Sequence, residues 1–188
     1  MAYGNVNADK IRESSLDAFM MQGNVLAQHN GLVCKYVTAA TVDIDADAIL
    51  LLNSTSGDGY KAETVNLTVD ISTGTGANTL DTGAEASATW YYLWVIYNPD
   101  TTTVAGLLST SSTAPTMPSG YTYKGLVGAV YNDSGSDFEN FHQLGDIVSG
   151  TNKSILSGGA ATTYTSFSTP VPPIARKANL SARATDSD

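Results

Sequence analysis

Trp90-Tyr91-Tyr92-Leu93-Trp94-Val95-Ile96-Tyr97 is the longest apolar run in the chain, and Asn98-Pro99-Asp100 follows it directly. Eight residues are far too few for a membrane-spanning helix. Aromatic and β-branched side chains bounded by a proline turn read instead as a strand. Val104 to Leu108 then returns as its hairpin partner. Trp90, Tyr92 and Trp94 share one face of this strand, and Tyr91, Leu93, Val95 and Tyr97 share the other. A row of exposed rings is a sugar-binding platform, but a run apolar on both faces is the pattern of a central, doubly buried strand. Burial is expected, with Tyr91 and Tyr97 as the candidate surface-contact residues.

The same reading extends outward along the chain. Leu32 to Val37 is one strand. Thr41 to Leu52 is another, in which Val42, Ile44, Ala46 and Ala48 alternate with Asp43, Asp45 and Asp47 before Ile49 to Leu52 turns apolar throughout. Asn53 to Gly59 is a turn cluster, and Val65/Leu67/Val69/Ile71 alternate within a strand over Ala62 to Ile71. Tyr121 to Tyr131 contains Gly125 and Gly128, where a neighbouring backbone is expected to come close. After a turn at Asn132 to Ser136, a last strand runs from near Phe138 to about Gln143. Short strands separated by turns, without helical intervals, predict a mainly β fold: an antiparallel β-sandwich, jelly-roll-like.

Helical signal is confined to the N-terminus. Ser14 and Asp17 form a capping-box pattern, Leu16, Phe19 and Met20 share a face, and Gly23 stops the helix. So short a helix needs something to pack against. The expected organisation is an attachment and oligomerisation segment at 1–30 and a β-sandwich domain at 31–150. A linker with a C-terminal strand or arm occupies 151–188, including strand patterns at Tyr164 to Val171 and around Leu180.

The 188 residues include 19 serines, 23 threonines and 17 glycines, with 42% hydrophobic and 14% charged residues. That is enough apolar material for a substantial core. A net charge of −9 opposes nucleic-acid binding and insertion at anionic membranes. No basic, apolar and small-residue succession marks a secretion signal at the N-terminus. The single cysteine, Cys34, lies in an apolar strand and reads as packing.

Asp43, Asp45 and Asp47 are the candidate metal ligands, since alternate strand positions place carboxylates on one face. An EF-hand loop would need glycine and glutamate where Ala48 and Ser54 stand, and a solvated charged face that discourages edge pairing accounts for the same residues without an ion. Asp81/Glu85 and Asp137/Glu139 are the acidic pairs that a glycosidase could use. No nucleophile elbow, zinc-helix motif or phosphate loop is present, and His29 and His142 form no metal set. No catalytic residue and no cofactor are nominated, and the chain is not expected to be an enzyme.

Ala88 to Pro99, Val104 to Ser111, Ala114 to Tyr121 and Gly128-Ala129-Val130 together resemble β-rich virion proteins of tailed bacteriophages. Gly4 to Ile11 is similar to short stem motifs near fibre attachment ends, and Pro172 to Leu180 to a strand entry in the same group. The resemblance implies a tail-fibre or fibre-adaptor component, made in the bacterial cytoplasm and located at the tail or capsid surface of the virion. It implies a homotrimer that contacts other virion proteins and supports host adsorption. Host surface glycans would meet loops such as Ser54 to Tyr60 and Ser109 to Tyr121. A capsid-decorating or head-fibre protein is the alternative, and a polysaccharide-degrading tailspike is a further one that the absence of fixed-period repeats disfavours.

Overall fold

The computed structural model describes residues 26–150 and 171–177. The chain divides into two compact units, Met1–Thr151 and Asn152–Asp188. In the second, the described segment makes a turn closed by Ala175 N donating to Pro172 O at 2.8 Å. The helix expected around Ser14 to Gly23, the first 25 residues of the attachment segment, residues 164–170 of the strand expected at Tyr164 to Val171 and the one around Leu180 lie outside the described residues; residues 26–30 of the attachment segment are described and include His29–Asn30, which joins the sheet. Among the described residues the first unit is built of strands, with a single 3-10 turn at Ile71–Thr73.

Nine strands follow in chain order: β1 (His29–Asn30), β2 (Val33–Thr38), β3 (Thr41–Asn53), β4 (Gly59–Asp70), β5 (Thr89–Asn98), β6 (Thr103–Ser109), β7 (Tyr123–Asn132), β8 (Phe141–Leu144) and β9 (Ile147–Gly150). Every strand pair is antiparallel, and hydrogen bonds join all nine into one sheet in the order β6-β5-β7-β3-β2-β8-β9, with β1 and β4 also on β3. The expected mainly β, antiparallel architecture is therefore present.

β3 organises the sheet because it is long enough to hold four neighbours. One side carries β4 along nearly its whole length; the other carries β2 at Thr41–Asp45, β1 at Ala48 and Ile49, and β7 at Leu52 and Asn53. Its side chains bury at Val42, Ile44 and Ala46, then at Ile49 and Leu51, so the inward face changes parity between Ala46 and Ile49. β4 changes parity opposite it, between Ala62 and Val65, where Thr64 takes a left-handed φ of 52°. Two strands flipping together keep their register while redirecting both faces. One continuous ribbon thereby serves the β2-β8-β9 wing at one end and the β7-β5-β6 wing at the other.

The core lies inside this arrangement and draws on both wings: Cys34, Ile44, Ile49 and Leu51 meet Tyr91, Leu93, Val95, Val127, Val130 and Phe141. β5 is buried from Tyr91 to Asn98. Its second face carries Tyr92, Trp94 and Ile96, which are buried and pair with Leu107, Leu126 and Ala129, and the segment 110–122 meets it at Trp94 as a roof. That roof is tied by Trp94 Nε1 donating to Ser111 O at 3.1 Å and by Lys124 Nζ donating to Thr113 O at 3.1 Å. Asp81 tacks its middle, accepting from Thr116 N at 2.8 Å and from Ser109 Oγ at 2.6 Å.

The outer edge of β6 is also occupied. Asn78 N donates to Gly106 O, Leu108 N to Thr79 O and Asp81 N to Leu108 O, while Asp70 N at the end of β4 donates to Asn78 O. Residues 78–81 thus bridge the β6 edge and the C-terminal end of β4. At Gly128, a β-carbon would come within 2.4 Å of Gln143 Oε1, and at Gly125 within 2.9 Å of Ala27 Cβ and Leu51 Cδ2. The backbone approach expected at these two glycines is present only at Gly125, from Leu50 O at 3.3 Å; at Gly128 side-chain atoms of Gln143 fill the space instead.

Candidate functional site

Three chain reversals gather at one end of the sheet: the β3–β4 turn at 53–58, the β5–β6 turn at 98–102 and the approach to β7 at 118–122. The ladder dictates this, because Leu51 pairs Tyr60, Asn53 pairs Tyr123 and Tyr123 pairs Tyr97. Both tight turns use one device. Asn53 Oδ1 accepts from Thr55 N and Ser56 N at 2.9 and 3.2 Å, and Asn98 Oδ1 accepts from Asp100 N and Thr101 N at 2.9 and 3.3 Å. The third segment sits directly against the second: Gly120, at φ 82°, has Asn98 Nδ2 only 2.5 Å from where a β-carbon would be.

Tyrosines fill the space between these turns. The Tyr60 ring stacks on Tyr97 with centroids 3.5 Å apart and planes 2° from parallel. Tyr123 meets both at an angle, 6.2 Å from Tyr60 and 5.7 Å from Tyr97. Tyr97 is buried, whereas Tyr60, Tyr121 and Tyr123 are half-buried and Ser54, Thr55, Ser56 and Asp58 are exposed. Partial burial pushes the Tyr60 phenol above the usual range, with the Tyr97 hydroxyl and then the Glu63 carboxylate adding to the effect. The hydroxyl therefore stays protonated, a hydrogen-bond donor beside a rigid aromatic face. Rings held by rings lose little freedom when a flat ligand settles on them.

The chain matches no family model, no curated protein and no solved structure. Its chemistry is therefore read from its own residues.

Tyr91 and Tyr97, expected to reach a surface, are buried at 1% and 7% exposure. The reason is β5's central position, with the core on one face and the 110–122 roof over the other. Tyr91 Oη accepts from Ala86 N at 2.7 Å and so holds the loop before β5 in place. Sequence periodicity did not single out Tyr60 and Tyr123, because each belongs to a strand end next to polar turn residues. Their common signal is proximity to the Asn-led turns.

Asp43 and Asp45 do share the outer face of β3, but Lys35 from β2 reaches both, at 3.6 and 3.4 Å, and Thr68 Oγ1 donates to Asp43 Oδ1 at 2.7 Å. Asp47 is parted from them by the parity change and lies beside Gly31. Among the described residues no three His, Cys, Asp or Glu side chains group as metal ligands. Asp81 and Glu85 have structural tasks: Asp81 holds the roof, and Glu85 Oε1 accepts from buried Asn132 Nδ2 at 3.0 Å. Cys34 is fully buried, and burial, then the Asp45 charge, push its thiol up to about 12, which suits packing rather than nucleophilic attack. His29 Nε2 lies 3.4 Å from Asp146 Oδ1 across the β8–β9 turn.

Proposed function

We propose that this chain is a structural component of a tailed-bacteriophage virion, a tail-fibre or fibre-adaptor protein whose β body supports adsorption to the host. In this reading it performs no catalytic step, and the tyrosine end contacts surface glycans. The observation that carries the glycan contact is the stacked Tyr60–Tyr97 pair, backed by Tyr123 and flanked by exposed Ser54, Thr55, Ser56 and Asp58. Apolar sugar faces lie on aromatic rings while hydroxyls meet short polar side chains. The virion assignment rests on the resemblance in the strand and turn pattern, with which a turn-rich antiparallel body and an acidic exterior agree. We read the body as sandwich-like, with the β3–β4 ribbon packed over β5–β6–β7 at Val69 and Gly106.

Cryo-electron microscopy of purified particles tests the location: density for the chain at the tail supports the reading, and its absence from virions overturns it. Glycan binding is tested separately with arrays of host surface polysaccharide. Tyr60→Ala should cost tenfold or more in affinity, about 1.4 kcal/mol, with circular dichroism unchanged. Cleavage of those polysaccharides by the purified chain would overturn the non-enzymatic assignment.

A further inference from the structure

Asn30-Gly31 is the one Asn-Gly pair in the sequence. Asparagine is thermolabile because the next backbone nitrogen can attack its side-chain carbonyl, and glycine has no side chain to crowd that approach. In a folded chain the carboxamide must also be exposed and untethered, and the following N–H must lack a partner. The structure sorts its asparagines on these grounds. Asn53, Asn78, Asn98 and Asn132 have their carboxamides in hydrogen bonds with Thr55 N, Gly106 N, Asp100 N and Glu85 Oε1 in turn. Asn30, Asn66 and Asn140 are exposed and carry no such bond among the described residues. Leucine follows Asn66 and phenylalanine follows Asn140, whereas glycine follows Asn30. Gly31 is itself exposed, and its N–H donates no hydrogen bond among the described residues. Its φ of 65° favours glycine, and a β-carbon there would lie 2.7 Å from Asp47 Oδ2, so the fold itself keeps the reactive pair together.

We propose that Asn30 is a site of spontaneous modification, converted to aspartate and isoaspartate through a succinimide with Gly31, and that isoaspartate releases β1 from β3. Gly31 N gives its proton to solvent base and attacks Asn30 Cγ. The new C–N bond closes a five-membered ring as the Cγ–Nδ2 bond breaks, and Nδ2 takes a proton from water and leaves as ammonia. Water then opens the ring at one of its two carbonyls. Opening at Cγ yields aspartate; opening at the main-chain carbonyl of residue 30 yields isoaspartate, whose main chain runs through Cβ and Cγ. Register turns that product into a structural change. His29 pairs Ile49 and Asn30 pairs Ala48, while Val33 pairs Asp45 and Cys34 pairs Ile44, so β1 and β2 lie on β3 in one common register across Gly31 and Leu32. Isoaspartate inserts an extra main-chain carbon between the two strands, and both can no longer keep it. β2 also pairs with β8 and buries Cys34 fully, whereas β1 is two residues long. β1 therefore gives way, and the bond from Leu50 N to Gln28 O goes with it.

This inference is independent of the virion assignment and is tested on the full chain, aged without denaturant at neutral and at mildly alkaline pH. Peptide mapping by mass spectrometry should show a gain of about 1 Da at Asn30, the exchange of an amide –NH2 for –OH. The gain should grow at least about tenfold faster than at Asn66 or Asn140, and faster at the higher pH, where the Gly31 nitrogen loses its proton more readily. In Asn30→Gln, whose extra methylene disfavours ring closure, the gain at residue 30 should fall at least about tenfold. The isoaspartate fraction should exchange the Leu50 amide faster than the fresh chain does, with exchange in β5 unchanged. An Asn30 that reacts no faster than Asn66 and Asn140, or that reacts only in urea, overturns the site. An isoaspartate fraction with unchanged exchange at Leu50 overturns the release of β1.

Discussion

Replacing Gly106 with alanine probes the place where β6 and β4 come closest. The added β-carbon would lie 2.2 Å from Val69 Cγ2, while the next atoms, Val69 Cβ and Asn78 Oδ1, stand at 3.6 and 3.7 Å, ordinary contact distances. The whole conflict is with one methyl group, against a normal carbon separation of about 3.5–4.0 Å. Val69 is fully buried and β-branched, so its side chain has little freedom to turn away. Gly106→Ala should therefore destabilise by about 1–3 kcal/mol, the usual cost of overpacking. Val69→Ala alone removes two methyl equivalents and should cost about 1.6 kcal/mol in transfer free energy plus a cavity contribution. In the double variant the new methyl occupies space the valine vacates, so the combined cost should not exceed that of Val69→Ala. That leaves a favourable coupling of about 1–3 kcal/mol. Urea unfolding followed by tryptophan fluorescence and circular dichroism, with m held constant, measures all three. Strictly additive losses, or a Gly106→Ala variant as stable as the parent, would refute the packing of β4 on β6.

Three further outcomes follow from the same structure. Asp81→Ala removes the acceptor shared by Ser109 Oγ and Thr116 N and should cost about 1.5–3 kcal/mol, with red-shifted tryptophan emission as the roof over Trp94 loosens; unchanged emission would contradict the roof. Lys35→Gln should cost less than about 1 kcal/mol, a difference that shrinks as salt is added, because the lysine's pairs with Asp43 and Asp45 are partly solvated. The Cys34 thiol should resist alkylation until the protein unfolds. Its folded value lies above the unfolded one of 9.0, so the folded state holds its proton longer. Its contribution is fully present below pH 9 and falls away as the pH rises towards about 12, which Cys34→Ala should flatten in pH-dependent unfolding.

Much of the secondary structure was legible because strands announce themselves by alternation and by turn residues. The β5 run, the Asn98-Pro99 turn and the hairpin return at β6 fall where the pattern puts them. β3 is instructive in a different way. Its alternation reads without a break through Ala48, but the inward face moves to Ile49 because β3 and β4 flip together. A side-chain pattern on one strand carries no record of what its partner does 15 to 19 residues further along, where Ala48 pairs Glu63 and Ala46 pairs Val65. β1 and β9 escaped notice for another reason: two and four residues are too few for any periodicity. Tyr91 and Tyr97, the candidate surface contacts of a strand expected to be buried, lie inside the fold, where the Tyr91 hydroxyl accepts from Ala86 N.

By itself the sequence determined that the chain is built of antiparallel strands, that β5 is buried on both faces and that Cys34 is packing. These properties depend on nearest neighbours and on local apolar density. Only the tertiary structure decided that the nine described strands form one sheet, that Lys35 stands against Asp43 and Asp45, and that Tyr60 stacks on Tyr97. Each of these joins residues set by strand order and register. Register arises from the free energy of the whole packed sheet, which no local stretch of sequence encodes.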